Sequence, residues 1–163
     1  MKISAFVGLG ANLDDPVSHL LRAFDSLAHL PKTALASRSS LWRSAPLGYA
    51  NQPEFVNAVA RVETELGAEA LLDELQGIEL AHGRKRAFAN APRTLDLDLL
   101  LFGDTVRSTQ ELTLPHPRMH ERAFVLEPLL EIAPDAIIPG HGSARDCLAS
   151  VRGQACEKLV VHG

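Results

Sequence analysis

The first fifty residues predict a strand, a helix and a second strand. Residues 3–10 are apolar enough for a buried strand. Asp15 can cap the helix that follows, with Pro16 at its first position, and Pro31 prevents its continuation. Residues 33–43 have the composition of another strand. The pattern therefore begins as strand, helix, strand.

The middle of the chain predicts a loop and then a second strand–helix–strand unit. Residues 44–53 are rich in turn-forming residues. The clearest strand follows at residues 55–63, where Val and Ala form one face and Phe, Asn, Val and Arg form the other. Apolar residues at helical spacing over residues 71–78 predict a helix that Gly83 can end. Residues 94–102 predict a further strand.

Two shorter helices are predicted near the C-terminus. The first covers residues 125–132, where we expect Pro128 to be tolerated only in the first helical turn. The second covers residues 143–151. The complete order is βαββαβ with additional C-terminal elements. It predicts an α+β, ferredoxin-like sandwich in a single domain over residues 1–163.

Composition limits the class of protein. The 163 residues are 46% hydrophobic and 22% charged, which suits one compact domain. No run approaches the roughly 18 apolar residues of a membrane helix, and residues 1–12 lack the features of a secretory signal. Two cysteines, Cys147 and Cys156, are too few for a disulfide framework. A net charge of −4 argues against a general nucleic-acid binder. We expect a cytoplasmic monomer without membrane or nucleic-acid partners.

Residues 92–101 hold the most informative motif. As a strand, this segment places four leucines on one face of the sheet, with Asp96 and Asp98 on the other. The leucines are Leu95, Leu97, Leu99 and Leu101. The two aspartate Cα atoms would lie roughly 6.5 Å apart, a spacing that suits oxygens converging on one or two Mg²⁺ ions. Taken alone, such a pair is more often a solvated strand face, or two acids paired with arginines.

Cations flank this motif. Residues 84–86 (Arg-Lys-Arg) and Arg93 place four positive charges within ten residues, with no acid among them. Arginine forks suit phosphate oxygens, although a solvated loop would have the same composition. His116 lies between two prolines and is followed by Arg122. A lone histidine there is usually structural, but together with these arginines it favours an anion site.

Familiar nucleotide-binding motifs do not occur in the sequence. Leu13 stands where a dinucleotide fingerprint starting at Gly8 and Gly10 needs its third glycine, and no GxxxxGK[ST] loop occurs. No nucleophilic Ser or Cys stands in a recognisable setting. The predicted chemistry is therefore positioning and charge neutralisation, as in phosphoryl transfer.

A set of short stretches, in the same order along nearly the whole chain, resembles a known enzyme family. The stretches are 7–13 (Val-Gly-Leu-Gly-Ala-Asn-Leu), 44–48 (Ser-Ala-Pro-Leu-Gly), 52–58 (Gln-Pro-Glu-Phe-Val-Asn-Ala), 78–86, 92–98 (Pro-Arg-Thr-Leu-Asp-Leu-Asp), 114–116 (Leu-Pro-His) and 122–124 (Arg-Ala-Phe). The chain is similar in these stretches to the 6-hydroxymethyl-7,8-dihydropterin pyrophosphokinases.

The resemblance implies a ferredoxin-like fold and transfer of the β,γ-diphosphate of MgATP to the pterin hydroxymethyl group, giving AMP, in folate biosynthesis. It also implies two Mg²⁺ ions on Asp96 and Asp98, with Arg84 and Arg93 approaching the phosphates. The positions that hold ATP in the family match Gln76, Glu79, Arg86, Leu99, Thr113, His116 and Arg122. The positions that hold the pterin match Ser44, Ala45, Leu47, Phe55, Asn57 and Phe124.

The sequence agrees with the pterin assignment at two points, although without the motif two core phenylalanines and a strand asparagine paired to a neighbour would be the simpler interpretation. Phe55 and Asn57 share a strand face, so one can stack on a flat ring while the other bonds its edge, and Phe124 could complete a sandwich. One departure from the family is clear: residues 89–91 read Ala-Asn-Ala where a familiar form carries an Arg-Trp pair, so a tryptophan lid is not available.

Two other classes of function compete with this interpretation. A non-catalytic ferredoxin-like module that binds a ligand or RNA would need several exposed aromatic residues on its sheet, and only Phe55 is well placed. A metal-dependent phosphohydrolase using the Asp-Leu-Asp motif would release phosphate or pyrophosphate without an acceptor. Product analysis separates all three.

Overall fold

The chain forms one main antiparallel sheet with helices on both faces. The computed structural model of the protein describes residues 2–12, 15–44, 55–82, 95–154 and 156–159. The strands in these residues are β1 (Ile3–Ala11), β2 (Thr33–Arg38), β3 (Trp42–Ser44), β4 (Phe55–Thr64), β5 (Asp96–Phe102), β6 (Arg107–Ser108), β7 (Thr113–Leu114), β8 (Ile137–Ile138), β9 (Gly142–Ser143) and β10 (Cys156–Lys158). The helices are α1 (Pro16–Ala28), α2 (Ala68–Ala81), α3 (Ala123–Ile132) and α4 (Ala144–Ala149), with a 3₁₀ turn at Met119–Glu121.

Strand β1 is an interior strand of the sheet, next to the edge strand β5. It pairs antiparallel with β4 on one side and with β5 on the other. Strands β2 and β3 both pair with β4, at different points along its length, and β10 pairs with the outer side of β3. The order is therefore β10-β3-β4-β1-β5, with β2 also on β4. These observations confirm the predicted mixture of helices with an antiparallel sheet.

Helices α1 and α2 cover one face of the sheet, as their apolar stripes require. The Asp15 side chain caps α1 by accepting a hydrogen bond from the Ser18 N–H, and Pro16 occupies the first helical position as predicted. Leu20 and Leu27 of α1 and Leu75 of α2 are fully buried in the cluster beneath them. The sheet contributes alternate residues to this cluster, which is the period of two expected for strands. They include Ala5, Val7, Leu9, Val56, Ala58, Ala60, Val62, Leu97 and Leu99.

The C-terminal elements cover part of the opposite face. Leu126 and Leu129 of α3 are fully buried there against Val59 and Leu100, and Ala144 of α4 joins the same cluster. Val59 lies on the face of β4 that also carries Asn57, as the alternation predicted. The helices of the C-terminal part therefore lie on the same side of the sheet as the polar residues that the sequence singled out.

The predicted strand over residues 33–43 is wrong in its middle, because the chain leaves the sheet at residues 39–41. Ser39 makes the last contacts: its N–H donates to the Val59 carbonyl, and its hydroxyl accepts from the Val59 N–H, both at 2.9 Å. The Ser39 hydroxyl thus replaces a backbone carbonyl as the acceptor for the Val59 N–H. The segment therefore forms two strands instead of one. Of the segments predicted nearby, the turn-rich residues 45–53 lie outside the described residues.

The prediction that Leu101 shares a face with Leu97 and Leu99 is also wrong. Phe6 lies opposite Leu101 while Val7 lies opposite Leu99, so one extra residue, the one at position 100, interrupts the pairing. Such a bulge reverses the alternation beyond it. Leu101 consequently packs in the cluster under α3, and the predicted alternation holds only as far as the bulge.

Pro128 lies in the interior of α3, not in its first turn as expected. Its missing N–H and its ring cost about 3 kcal/mol in a helix interior. Burial of Leu126, Pro128 and Leu129 offsets this, since each fully buried large aliphatic side chain contributes about 1.5–3 kcal/mol.

Among the described residues, no helix is both long enough and apolar enough to cross a membrane.

Candidate functional site

A row of glycines on β1 separates two sets of polar side chains on the sheet face that α3 shares. Gly10 lies between Asn57 of β4 and Asp96 of β5, and Gly8 lies between Val59 and Asp98. Because neighbouring strands are about 4.8 Å apart, the amide and the carboxylates project from backbones roughly 10 Å apart. Strand β1 contributes no side chain between them at these two positions, and Leu100 of β5 packs over Gly8. The sequence signal for this gap is a pair of glycines two residues apart in an apolar strand.

Asn57 is held in one orientation on its side of the gap. The residue is buried, and its Nδ2 donates a hydrogen bond to the Ser44 hydroxyl at 2.7 Å. A Cβ at Gly10 would lie only 3.2 Å from the Asn57 Oδ1, so the absence of a side chain at Gly10 leaves room for the amide. Phe55 is half-buried on the same face, directly opposite Ser44. Three residues predicted to bind the pterin thus lie together.

Asp96 and Asp98 share the face and are both half-buried, as the alternation predicted. In the described part of the chain, no group of three or more His, Cys, Asp or Glu side chains could hold a metal ion. Two carboxylates nevertheless fit Mg²⁺, which takes one or two protein carboxylates and completes its shell with phosphate oxygens and water. The donor set therefore suits an ion that arrives with a phosphorylated substrate.

His116 lies beside this carboxylate pair as a neutral side chain. Its backbone N–H donates to the Leu100 carbonyl at 2.9 Å, which fixes it against β5. Burial and, to a smaller extent, the Arg122 cation together lower the pKa of His116 to about 4, although Asp96 opposes the shift. The Nδ1 atom accepts from the Arg118 N–H at 3.2 Å, so the neutral ring carries its proton on Nε2. That N–H is a donor suited to a phosphate oxygen.

Arg122 connects His116 to Phe124. Its guanidinium carbon lies 5.5 Å from the centre of the Phe124 ring, within the range of a cation–π contact. Gln154 holds the start of α3 in place: its Oε1 accepts from the Ala123 N–H at 2.9 Å, and its Nε2 donates to the Glu121 carbonyl at 2.8 Å. The role of Gln154 is not predictable from the sequence, since nothing in the local pattern indicates a contact so distant along the chain.

Other predicted ATP-binding residues are placed differently. Glu79 is buried, and its carboxylate accepts the Leu97 N–H at 2.8 Å, which joins α2 to the edge strand β5. The Leu99 side chain is buried in the core cluster, so only its backbone can face a ligand. Gln76 is exposed on α2, and Thr113 is exposed on β7. The predicted residues Ala45, Leu47, Arg84, Arg86 and Arg93 lie outside the described residues.

Fold and site together define an α+β protein with a carboxylate-bearing, glycine-spaced sheet face. A model of the 7,8-dihydro-6-hydroxymethylpterin-pyrophosphokinase (HPPK) family matches residues 6–134. A Haemophilus influenzae protein named 2-amino-4-hydroxy-6-hydroxymethyldihydropteridine pyrophosphokinase is 48% identical over 84% of this chain and 86% of its own length. A Pseudomonas aeruginosa protein of the same name is 45% identical over 94% of this chain and 95% of its own. The chain belongs to this family, as the motifs predicted.

Solved structures support the fold. The HPPK-DHPS protein of Plasmodium falciparum, crystallised as wild type with pteroate, matches 92% of this chain with a TM-score of 0.74 at 13% identity. This chain spans 44% of that longer chain. At so low an identity the likeness shows the fold alone.

Proposed function

We propose that the chain transfers the β,γ-diphosphate of ATP to 6-hydroxymethyl-7,8-dihydropterin in folate biosynthesis. Membership of the pyrophosphokinase family and the names of the relatives support this reaction. The structural observation that carries it is the glycine-spaced face, with an oriented amide on one side and two carboxylates on the other. A flat ring and a polyphosphate can occupy the two sides at once.

The pterin is assigned to the β4 side. The Asn57 amide donates to Ser44, so its Oδ1 is the atom that can accept an N–H from the edge of a heterocycle. Phe55 supplies an aromatic surface on the same face, and Phe124 a second one at the start of α3. Ala45 and Leu47 complete the proposed set on the strength of the family motif.

The triphosphate is assigned to the β5 side. The proton on Nε2 of His116 and the guanidinium of Arg122 are donors for phosphate oxygens, and Arg84, Arg86 and Arg93 are added from the motif. The remaining motif positions, Gln76, Glu79, Leu99 and Thr113, are assigned to ATP, with Glu79 acting through the strand it holds. Asp96 and Asp98 would hold two Mg²⁺ ions, which when bound neutralise phosphate charge.

The reaction then requires mainly alignment. The pterin hydroxyl oxygen forms a bond to the β-phosphorus, the bond from that phosphorus to the oxygen bridging the α-phosphate breaks, and AMP leaves while the hydroxyl loses its proton. Positioning and electrostatic stabilisation account for most of the catalysis in phosphoryl transfer.

The strand order β3-β4-β1-β5, produced by a βαββαβ chain, supports assignment to the ferredoxin-like folds within one domain. We also propose a monomer.

Product analysis tests the proposal. The protein is incubated with MgATP, with and without 6-hydroxymethyl-7,8-dihydropterin, and nucleotides and phosphates are separated. We expect AMP and the pterin diphosphate in equal amounts, and only when the pterin is present. Formation of inorganic phosphate or pyrophosphate without the pterin would instead identify a hydrolase.

A further inference from the structure

Glu131, in the last turn of α3, binds the chain at the break between β2 and β3. Its carboxylate accepts from the Ser40 N–H at 2.9 Å, the Ser40 hydroxyl at 2.6 Å and the Trp42 indole N–H at 3.1 Å. The Lys158 ammonium lies 3.7 Å away. Burial alone would raise the pKa of Glu131, but these hydrogen bonds and the Lys158 charge outweigh it and lower the pKa. The group is therefore a carboxylate at neutral pH.

These contacts fall at a short strand, which pairs with β4 on one side and with β10 on the other. Strand β3 has three residues, and its pairing with β4 consists of Trp42 with Asn57, Arg43 with Val56 and Ser44 with Phe55. The break at residues 39–41 separates it from β2. A strand this short has few backbone hydrogen bonds to fix its register. Glu131 supplies an anchor from a helix that is itself fixed by the buried side chains Leu126 and Leu129.

The residues of β3 that Glu131 anchors are those next to the proposed pterin site. Trp42 lies directly opposite Asn57, and the Ser44 hydroxyl accepts the hydrogen bond that orients the Asn57 amide. The first turn of α3 carries Phe124. One helix therefore provides an aromatic wall at its start and fixes, at its end, the strand that orients the amide.

We propose that Glu131 is a positioning residue for pterin recognition, holding β3 in the place where Ser44 fixes the Asn57 amide. The inference rests on the proposed function, because it takes Asn57 and Ser44 as pterin-binding residues. Glu131 acts through the strand and distinguishes the two substrates, since within the described residues its hydrogen bonds and ion pair go to Ser40, Trp42 and Lys158, and none of these lies on β5.

The test compares Glu131→Ala with a matched control, Glu157→Ala. Glu157 also binds β3, through Arg43 at 2.7 Å, but Arg43 points to the face opposite Trp42 and Ser44, and the pair is exposed. KM is measured for the pterin at saturating MgATP, and for ATP at saturating pterin. We expect the pterin KM to rise about 10-fold in Glu131→Ala, as expected for losing hydrogen bonds to a charged group, and the ATP KM to change less than about twofold. Both KM values should stay within about twofold in the control.

Conservative variants separate positioning from general stability. Glu131→Gln keeps one oxygen acceptor, which can serve the Ser40 and Trp42 N–H donors, and presents an NH₂ group to the Ser40 hydroxyl. It should restore a large part of the pterin affinity. If Glu131→Ala does not fold, Trp42→Phe removes the indole donor together with part of a buried ring and should raise the pterin KM about threefold, again without affecting ATP. Thermal melting of each variant establishes that the assays report folded protein.

Ser44→Ala provides the reference for interpretation. A normal pterin KM in Glu131→Ala, when Ser44→Ala raises it, would overturn the role of Glu131 and leave the proposed function standing. Equal rises in both KM values would show a structural role only and would also overturn it. A normal pterin KM in both Ser44→Ala and Asn57→Ala would overturn the pterin site, and the inference with it.

Discussion

Replacing Gly10 with alanine tests whether the glycine-spaced face is a pterin site. The new Cβ would lie 3.2 Å from the Asn57 Oδ1 and 4.0 Å from the Val56 carbonyl oxygen. The first distance is tighter than about nine in ten real contacts of a Cβ, so the amide must move by a few tenths of an ångström. Asn57 is buried and its Nδ2 is bonded to Ser44 at 2.7 Å, so it cannot move without weakening that bond.

The cost follows from these contacts. A net hydrogen bond contributes about 0.5–1.5 kcal/mol, and a side chain displaced from its rotamer costs about as much. A displaced Asn57 would therefore lose roughly 1–2 kcal/mol of pterin binding energy, which corresponds to about a 5- to 30-fold higher Kd. ATP, assigned to the β5 side, should be bound normally.

Gly8→Ala is the matched control. Gly8 lies two residues away on the same strand and face, but its Cβ would meet only side-chain carbons of Leu100 at 3.4–3.5 Å, an ordinary van der Waals contact. Steady-state AMP release with varied pterin, at saturating MgATP, measures both variants. We expect a raised pterin KM in Gly10→Ala and a value within about twofold of wild type in Gly8→Ala.

Two results would refute this reasoning. A wild-type pterin KM in a folded Gly10→Ala protein would show that the Asn57 amide does not contact the pterin. An equal loss in Gly8→Ala would show that any methyl group on this part of β1 disturbs the sheet, with no specific role for the amide.

Three further predictions address the carboxylates, the aromatic wall and pH. Asp98→Ala should reduce turnover by at least about 10³-fold with little change in melting temperature, because metal stabilisation of phosphate charge is worth several kcal/mol; near-normal turnover would contradict the metal assignment. Phe124→Ala should raise the pterin Kd more than the ATP Kd, by about 0.5–1.5 kcal/mol beyond the lost buried area, and calorimetric titration showing the reverse would mean that the two pockets are exchanged. Burial, with smaller contributions from His19 and Arg22, lowers the pKa of His82 below its ordinary 6.5. As the pH is lowered through 6.5, the unfolded chain therefore binds more protons than the folded one, and the free energy of unfolding decreases. In urea titrations between pH 7.5 and 5, His82→Gln should show a smaller decrease in the free energy of unfolding than wild type.

Much of the fold was predictable because its signals are local. The alternation in residues 55–63 identified β4 and put Phe55 and Asn57 on one face, and the same period put Asp96 and Asp98 together. The cap at Asp15 located the start of α1. Side-chain direction in strands and helices depends on neighbours a few residues away, and such neighbours are visible in the sequence.

Contacts between distant residues were decided only by the tertiary structure. The break after β2 depends on Ser39 bonding to β4, and the reversal at Leu101 depends on the register of β5 against β1. The low pKa of His116 arises from burial and from Arg122, which only the folded chain brings near it. Glu131 reaches Ser40 across 91 residues of sequence. The sequence by itself determined the βαββαβ order of the main elements, the faces of β4 and of the first half of β5, and the family. Register, burial and the partners of each charge came from packing, because they depend on which distant segments meet, and no local period encodes that.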